Sequence, residues 1–150
     1  MYIGIIPPFA EDPEHHITLT FNGHGEKKRD YLRAVRALAT AASWWHENSN
    51  GLIPIDFGAT SNFPPTEQRM GWVFYASVNS PKLGRFRDVL VQELDKLDVY
   101  HSRDFDYTPH LTLGYGGLAD APRNPYEGLG FLVGTLSVVS SAFGRTDIQV

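Results

Sequence analysis

Apolar and polar residues alternate with a period of two along much of the chain, which predicts a protein rich in β-strands. Strands are predicted at residues 2–6, 15–21, 52–59, 72–78, 108–115, 131–140 and 146–150. Polar or Gly- and Pro-rich connections are predicted at residues 9–14, 60–68, 99–106 and 116–130. The longest of these connections, residues 116–130, has no periodicity and is predicted to be a loop.

Two stretches change to the helical period, and they predict amphipathic helices over residues 26–47 and 80–98. The apolar stripe of the first is predicted at Leu32, Val35, Leu38, Ala39, Ala42 and Trp45. The second begins with Ser80 and Pro81, a helix cap followed by proline in the first turn. Its apolar stripe is predicted at Leu83, Phe86, Leu90, Leu94 and Leu97.

Two of the predicted strands carry the same motif, a His followed two residues later by a Thr. Residues 16–21 read His-Ile-Thr-Leu-Thr-Phe, and residues 110–115 read His-Leu-Thr-Leu-Gly-Tyr. Residues two apart in a strand point to one face, so His16 shares a face with Thr18, and His110 shares a face with Thr112. If the two strands lie side by side or face one cleft, two imidazoles and two hydroxyls meet there.

The bare triplet is a weak signal, because the His and Thr content would produce about 0.4 His-x-Thr triplets by chance. An apolar middle residue and a following Leu, present in both copies, make the repeated pattern much rarer. The alternative interpretation is two half-buried strands that each happen to carry a His.

The order of elements predicts an α+β fold, because the strands come in hairpin-like pairs rather than in strict β-α-β alternation. Each motif strand is linked to one long helix and to further strands. We therefore expect one domain over residues 1–150, made of two similar lobes related by an approximate two-fold, with a cleft between them.

Composition narrows the class of function. The chain has 13 basic and 17 acidic side chains and a net charge of −4, which argues against a surface built for long nucleic acid. It has no cysteine, which excludes disulfides, thiol nucleophiles and thiolate metal sites. No membrane span or signal pattern is present in the sequence. We expect a monomer of the cytoplasm.

Two histidines on one face suit acid–base chemistry at a phosphodiester. Because histidine titrates near pH 6.5, a pair holds one neutral and one protonated ring near neutral pH. The neutral ring takes a proton from water or a 2'-hydroxyl, and the protonated ring gives one to the leaving oxygen. The Thr18 and Thr112 hydroxyls donate to the phosphate oxygens. This scheme needs no metal or cofactor; it predicts a bell-shaped pH–rate profile and activity that survives EDTA.

Residues beyond the motifs are candidates for other roles. A metal site from His16, His110 and a carboxylate is the alternative to acid–base chemistry, but no ligand motif lies nearby. The aromatic candidates for stacking on a nucleotide base are Phe9, Trp72 and Tyr107. His15 is expected to be a structural or surface residue, and solvated positions are expected for His24, His46 and His101. A solvated helix face is expected for Lys27, Lys28 and Arg33.

The motifs resemble those of the 2H phosphoesterase superfamily, also called LigT-like, whose hallmark is two His-x-Thr or His-x-Ser motifs. Residues 2–8 are similar to that family's first strand, which ends in a Pro pair, and residues 16–21 to its first motif strand. Residues 107–113 are similar to its aromatic-x-Pro-His-x-Thr-Leu form. The resemblance implies two antiparallel sheets flanked by helices, around a catalytic set of His16, Thr18, His110 and Thr112.

The resemblance also implies a substrate class, and this chain departs from the family pattern in two places. The expected substrate is a small nucleotide, as a 2',3'-cyclic phosphate, a 2'–5' linkage, or a cyclic oligonucleotide signal of the kind destroyed by phage anti-defence proteins. The alternative is a non-catalytic nucleotide- or RNA-binding module that uses the same cleft. Many members carry a basic residue where this chain has Gly114 and Tyr115. The segment that follows is rich in Gly and Pro, which predicts a reshaped rim.

Overall fold

A computed structural model describes residues 1–48, 50–103 and 106–150. Its elements are β1 (Tyr2–Ile5), β2 (Ile17–Phe21), α1 (Lys28–Glu47), β3 (Pro54–Phe63), β4 (Trp72–Asn79), α2 (Pro81–Lys96), β5 (His110–Gly116), a 3-10 turn (Leu118–Asp120), β6 (Gly130–Leu132), β7 (Thr135–Ser140) and β8 (Gly144–Gln149). The predicted α+β class is confirmed. Residues 104–105 of the predicted connection before β5 lie outside the described residues.

The strands pair in the order β6-β3-β4-β5-β2-β1-β7-β8, and the paired neighbours are antiparallel. Each motif strand therefore belongs to a group of four, and the two groups meet where β2 lies beside β5. That junction is one register pair, Ile17 with Leu111. The described strands thus form one continuous eight-stranded sheet with two halves, and the expected division into two separate sheets is not confirmed.

The two halves do not follow one another along the chain. Strands β7 and β8 join the half that contains β1 and β2, because β1 pairs with β7. Strand β6 pairs instead with β3 in the other half. The predicted single strand at residues 131–140 is therefore wrong: the chain leaves one half at Leu132 and enters the other at Thr135.

Both helices pack on the buried side of the sheet, where they also contact each other. The predicted stripe of α2 is confirmed at Leu83, Phe86, Leu90 and Leu94, which are fully buried. The predicted stripe of α1 is partly wrong, because Leu32 is exposed while Tyr31, Ala34, Ala37 and Ala41 are buried. Small alanine side chains let α1 approach its neighbours closely. No helix of the described residues is long and apolar enough to cross a membrane.

Local interactions explain two element boundaries. Leu83 N–H donates to Ser80 Oγ at 3.3 Å, so the predicted cap of α2 is confirmed. Ser80 Oγ also donates to the Pro54 carbonyl at 2.6 Å, which fixes the start of α2 against β3. The predicted loop at residues 60–68 begins too early, since β3 continues to Phe63 through pairing with β4.

Candidate functional site

The register between β2 and β5 brings the two motifs together. Ile17 lies opposite Leu111, and both side chains are fully buried on the helix side of the sheet. In an antiparallel pair, this register sets His16 opposite Thr112 and Thr18 opposite His110. Since neighbouring side chains in a strand point to opposite faces, all four polar residues share the face away from the helices. All four are half-buried.

His110 is oriented by a backbone acceptor and two aromatic rings. Its Nδ1 lies 2.7 Å from the Thr108 carbonyl, so Nδ1 carries a proton and donates it to that oxygen. The rings of Phe63 and Tyr75 contact the imidazole edge to face, with centroids 5.2 and 5.3 Å away. The geometry leaves Nε2 as the nitrogen that gains or loses a proton.

His16 is covered by Tyr2, whose ring stacks on the imidazole at 4.1 Å with an interplanar angle of 12°. Burial lowers the pKa of His16 below 6.5, and the nearby charge of His110 acts in the same direction. The backbone carbonyl and carboxylate of Glu14 act in the opposite direction. Nδ1 of His16 is buried and has no hydrogen-bonding partner among the described residues. His16 is therefore held mainly in its neutral form.

Gly4 allows the close approach on which this arrangement depends. Gly4 lies opposite Thr18 in the β1–β2 pairing. A Cβ at Gly4 would lie 2.4 Å from the Ile17 carbonyl oxygen and 3.3 Å from Cε2 of Tyr2. The missing side chain thus lets β1 run close to the first motif and lets the Tyr2 ring reach His16.

Replacing Tyr2 with alanine is expected to raise the pKa of His16 toward 6.5, because burial is the main cause of its depression and the stacked ring supplies part of that burial. NMR titration of the His16 ring measures the change. Tyr2→Phe keeps the ring and is the matched control, with the midpoint of the wild type expected. An unchanged midpoint in Tyr2→Ala would show that the ring does not set the pKa.

A cavity of about 610 Å³ opens beside His110 and Thr112. This volume lies within the range of about 300–1,000 Å³ that is usual for small-ligand sites. Beyond the two motif residues, the side chains that line it include Phe63, Arg69, Val73, Asp106 and Tyr115. Phe63 pairs with Val73, and Val73 with Tyr115, so these three form a continuous apolar row across the sheet.

None of the three predicted stacking residues lines this cavity. Phe9 packs in an aromatic cluster with Phe57, Tyr126 and Phe131. Trp72 lies at the start of β4, where its neighbour Val73 faces the cavity.

Tyr107 packs against Arg87 and does not line the cavity. The Arg87 guanidinium lies over its ring, 4.4 Å from the ring centre. Burial raises the pKa of Tyr107 well above its usual range, and its hydroxyl has no hydrogen-bonding partner among the described residues. Sequence reasoning missed Phe63 because it was assigned to a loop. Extending the alternation of β3 by four residues would have found it.

The other histidines separate into structural and solvated groups. His24 and His46 are exposed, as predicted. His15 is structural: Glu11 N–H donates to the Tyr126 hydroxyl at 3.0 Å, and that hydroxyl is hydrogen-bonded to His15 Nδ1 at 2.5 Å. The prediction that His101 is solvated is wrong, because it is 3% exposed and its Nε2 lies 3.0 Å from Asp95. No group of three or more His, Asp or Glu side chains that could hold a metal ion exists within the part of the chain that the structure describes.

Two His-x-Thr motifs that share one face of an antiparallel α+β sheet are the arrangement expected of a 2H phosphoesterase, and the family comparison gives the same class. A family model described as the 2'-5' RNA ligase superfamily matches residues 6–141. The chain belongs to this superfamily, which comprises LigT-like 2H phosphoesterases.

The fold has a counterpart among solved structures. The crystal structure of TT0787 of Thermus thermophilus aligns with a TM-score of 0.55 and 22% sequence identity. The alignment covers 99% of this chain and 79% of that chain. At this identity the likeness shows the fold alone. No curated protein sequence matches the chain significantly.

Proposed function

We propose that the protein is a phosphodiesterase that cleaves a small nucleotide phosphodiester with His16 and His110 as its acid–base pair. The observation that carries this proposal is the register pair of Ile17 and Leu111, which gives both imidazoles and both threonine hydroxyls one face of the sheet. The charge of His110 also contributes to lowering the pKa of His16, which is consistent with two rings that face the same site.

The roles of the two rings follow from their surroundings. His16 is the general base, because its lowered pKa keeps it neutral at neutral pH. Its Nδ1 is buried, which leaves Nε2 to accept the proton. His110 is the general acid: the Thr108 carbonyl holds Nδ1–H in either charge state, so the exchangeable proton is on Nε2.

In the proposed reaction, His16 takes a proton from water or a 2'-hydroxyl while that oxygen attacks the phosphorus. The bond between phosphorus and the leaving oxygen breaks, and His110 gives its Nε2 proton to that oxygen. The enzyme ends with His16 protonated and His110 neutral, and exchange with water restores the starting state. Thr18 and Thr112 donate hydrogen bonds to the non-bridging oxygens, where negative charge builds up.

The dependence of kcat/KM on pH is expected to be bell-shaped. As pH rises, kcat/KM increases when His16 loses its proton, and because the pKa of His16 is lowered, this midpoint lies below 6.5. At higher pH the rate falls again, because the general acid must enter the reaction carrying the proton that it donates. Tyr2→Ala is expected to move only the acidic limb, and to move it upward. An acidic midpoint above 6.5 would contradict the assignment of His16 as base.

Substrates are best identified by incubation with a panel of 2',3'-cyclic, 2'–5' and 3'–5' cyclic oligonucleotides, with products identified by mass. The family name favours linkages to a 2' oxygen as the first members to test. Parallel reactions in EDTA test whether the two imidazoles are sufficient without a metal ion. Binding without turnover of any member would favour the alternative, a nucleotide-binding module.

A further inference from the structure

The cavity beside His110 continues away from the catalytic pair over the apolar row Phe63, Val73 and Tyr115. Thr112 pairs with Tyr75, and Val73 lies two residues further along β4, about 7 Å away. Tyr115 is 69% exposed, so a face of its ring is open to a ligand. A group that stacks on this row therefore lies close to a phosphate bound at Thr112 and His110.

Two opposite charges line the same cavity without neutralising each other. Arg69 is fixed by the β3–β4 connection, since its Nε donates to the Gly71 carbonyl at 3.2 Å and one terminal nitrogen donates to the Pro64 carbonyl at 2.8 Å. These bonds use two of its five N–H groups and leave three for a ligand. Asp106 is exposed, and among the ion pairs of the described residues none joins it to Arg69.

We propose that this cavity selects guanine, as the base of the nucleotide whose phosphate the His pair cleaves. This inference rests on the proposed function and narrows its substrate class. Guanine presents adjacent N1–H and N2–H donors, which match the Asp106 carboxylate, and O6 and N7 acceptors, which match a guanidinium such as that of Arg69. Adenine, cytosine and uracil offer neither this adjacent pair of donors nor this adjacent pair of acceptors. Stacking on Tyr115 holds any base, and the two charges discriminate between bases.

The site also assigns the polarity of the bound substrate. Because the cavity adjoins His110, the nucleoside in it lies on the side of the proposed acid. That nucleoside therefore carries the leaving oxygen and receives the proton from His110, while the attacking oxygen approaches from the side of His16.

The selectivity is tested by calorimetric binding of the 3'-monophosphates of guanosine, inosine, adenosine, cytidine and uridine. These probes need no turnover, so the result is separate from the test of catalysis. We expect guanosine to bind at least about fivefold more tightly than each of the others. Inosine keeps O6, N7 and N1–H but lacks the 2-amino group, so the guanosine–inosine difference reports the contact with Asp106.

Variants assign that difference to residues. Asp106→Asn is expected to abolish the preference for guanosine over inosine, whereas Asp88→Asn, an exposed position on α2, leaves it unchanged. Tyr115→Ala is expected to weaken all five ligands by a similar factor of about ten, and Tyr115→Phe is expected to restore them. Equal affinity for the five ligands, binding of none, or a guanosine preference that survives Asp106→Asn would each overturn the proposal.

Discussion

Replacing either His16 or His110 with alanine is expected to lower kcat by about 10²–10⁴, because each change removes one positioned proton transfer. Binding of a substrate or product is expected to stay within about tenfold, since the base and the phosphate keep their other contacts. The double variant is expected to lose far less than the product of the two single losses, because acid and base act in one displacement.

The measurement is single-turnover cleavage of a substrate found in the panel, together with calorimetric binding of its product. His46→Ala is the matched control, since His46 is exposed near the end of α1 and is expected to have wild-type kinetics. Full activity in either His16→Ala or His110→Ala would contradict the proposed mechanism. A loss of binding in parallel with kcat would indicate that the histidines hold the ligand rather than transfer protons.

Replacing Gly4 with alanine is expected to destabilise the fold by about 1–3 kcal/mol, because the new Cβ would lie 2.4 Å from the Ile17 carbonyl oxygen. That oxygen belongs to the backbone between His16 and Thr18, so it moves only if the first motif moves. Activity is therefore expected to fall together with stability. Urea unfolding measures the free energy of unfolding, and NMR of His16 reports the displacement of the motif.

Gly84 is the matched control for this change. It lies within α2, and no other atom lies within 4 Å of the position that its Cβ would take. Gly84→Ala is expected to stabilise the protein by about 0.4–1 kcal/mol, since alanine restricts the unfolded chain and suits a helix. Two Gly→Ala substitutions with opposite signs would separate steric overlap from backbone entropy. An equal free energy of unfolding for Gly4→Ala and wild type would mean that β1 moves away from the new Cβ without loss of stability.

Much of the fold could be predicted from local pattern. The motif strands were correct because Ile17 and Leu111 alternate with polar neighbours, and burial of one face requires that alternation. The start of α2 was correct because its cap is a contact between residues three apart. The register that sets His16 opposite Thr112 was not predictable, since it depends on pairing between strands about a hundred residues apart.

The parts of the site that sequence reasoning missed are those that depend on contacts across strands. Tyr2 reaches His16 only because Gly4 lacks a side chain, a relation that no period within β1 reveals. Phe63 faces the cavity because pairing with β4 extends β3. Phe9, one of the predicted stacking residues, packs against the hydrophobic core and does not line the cavity.

The exchange of strands between the two halves of the sheet has a consequence for synthesis of the protein. His16 is translated well before His110, yet β1, which supports it through Gly4, lacks one neighbour until β7 has been made. Contacts of such long sequence separation are slow to form, because the intervening chain must first be ordered. The half of the site that is translated first therefore completes its strand pairing only after β7 has been made.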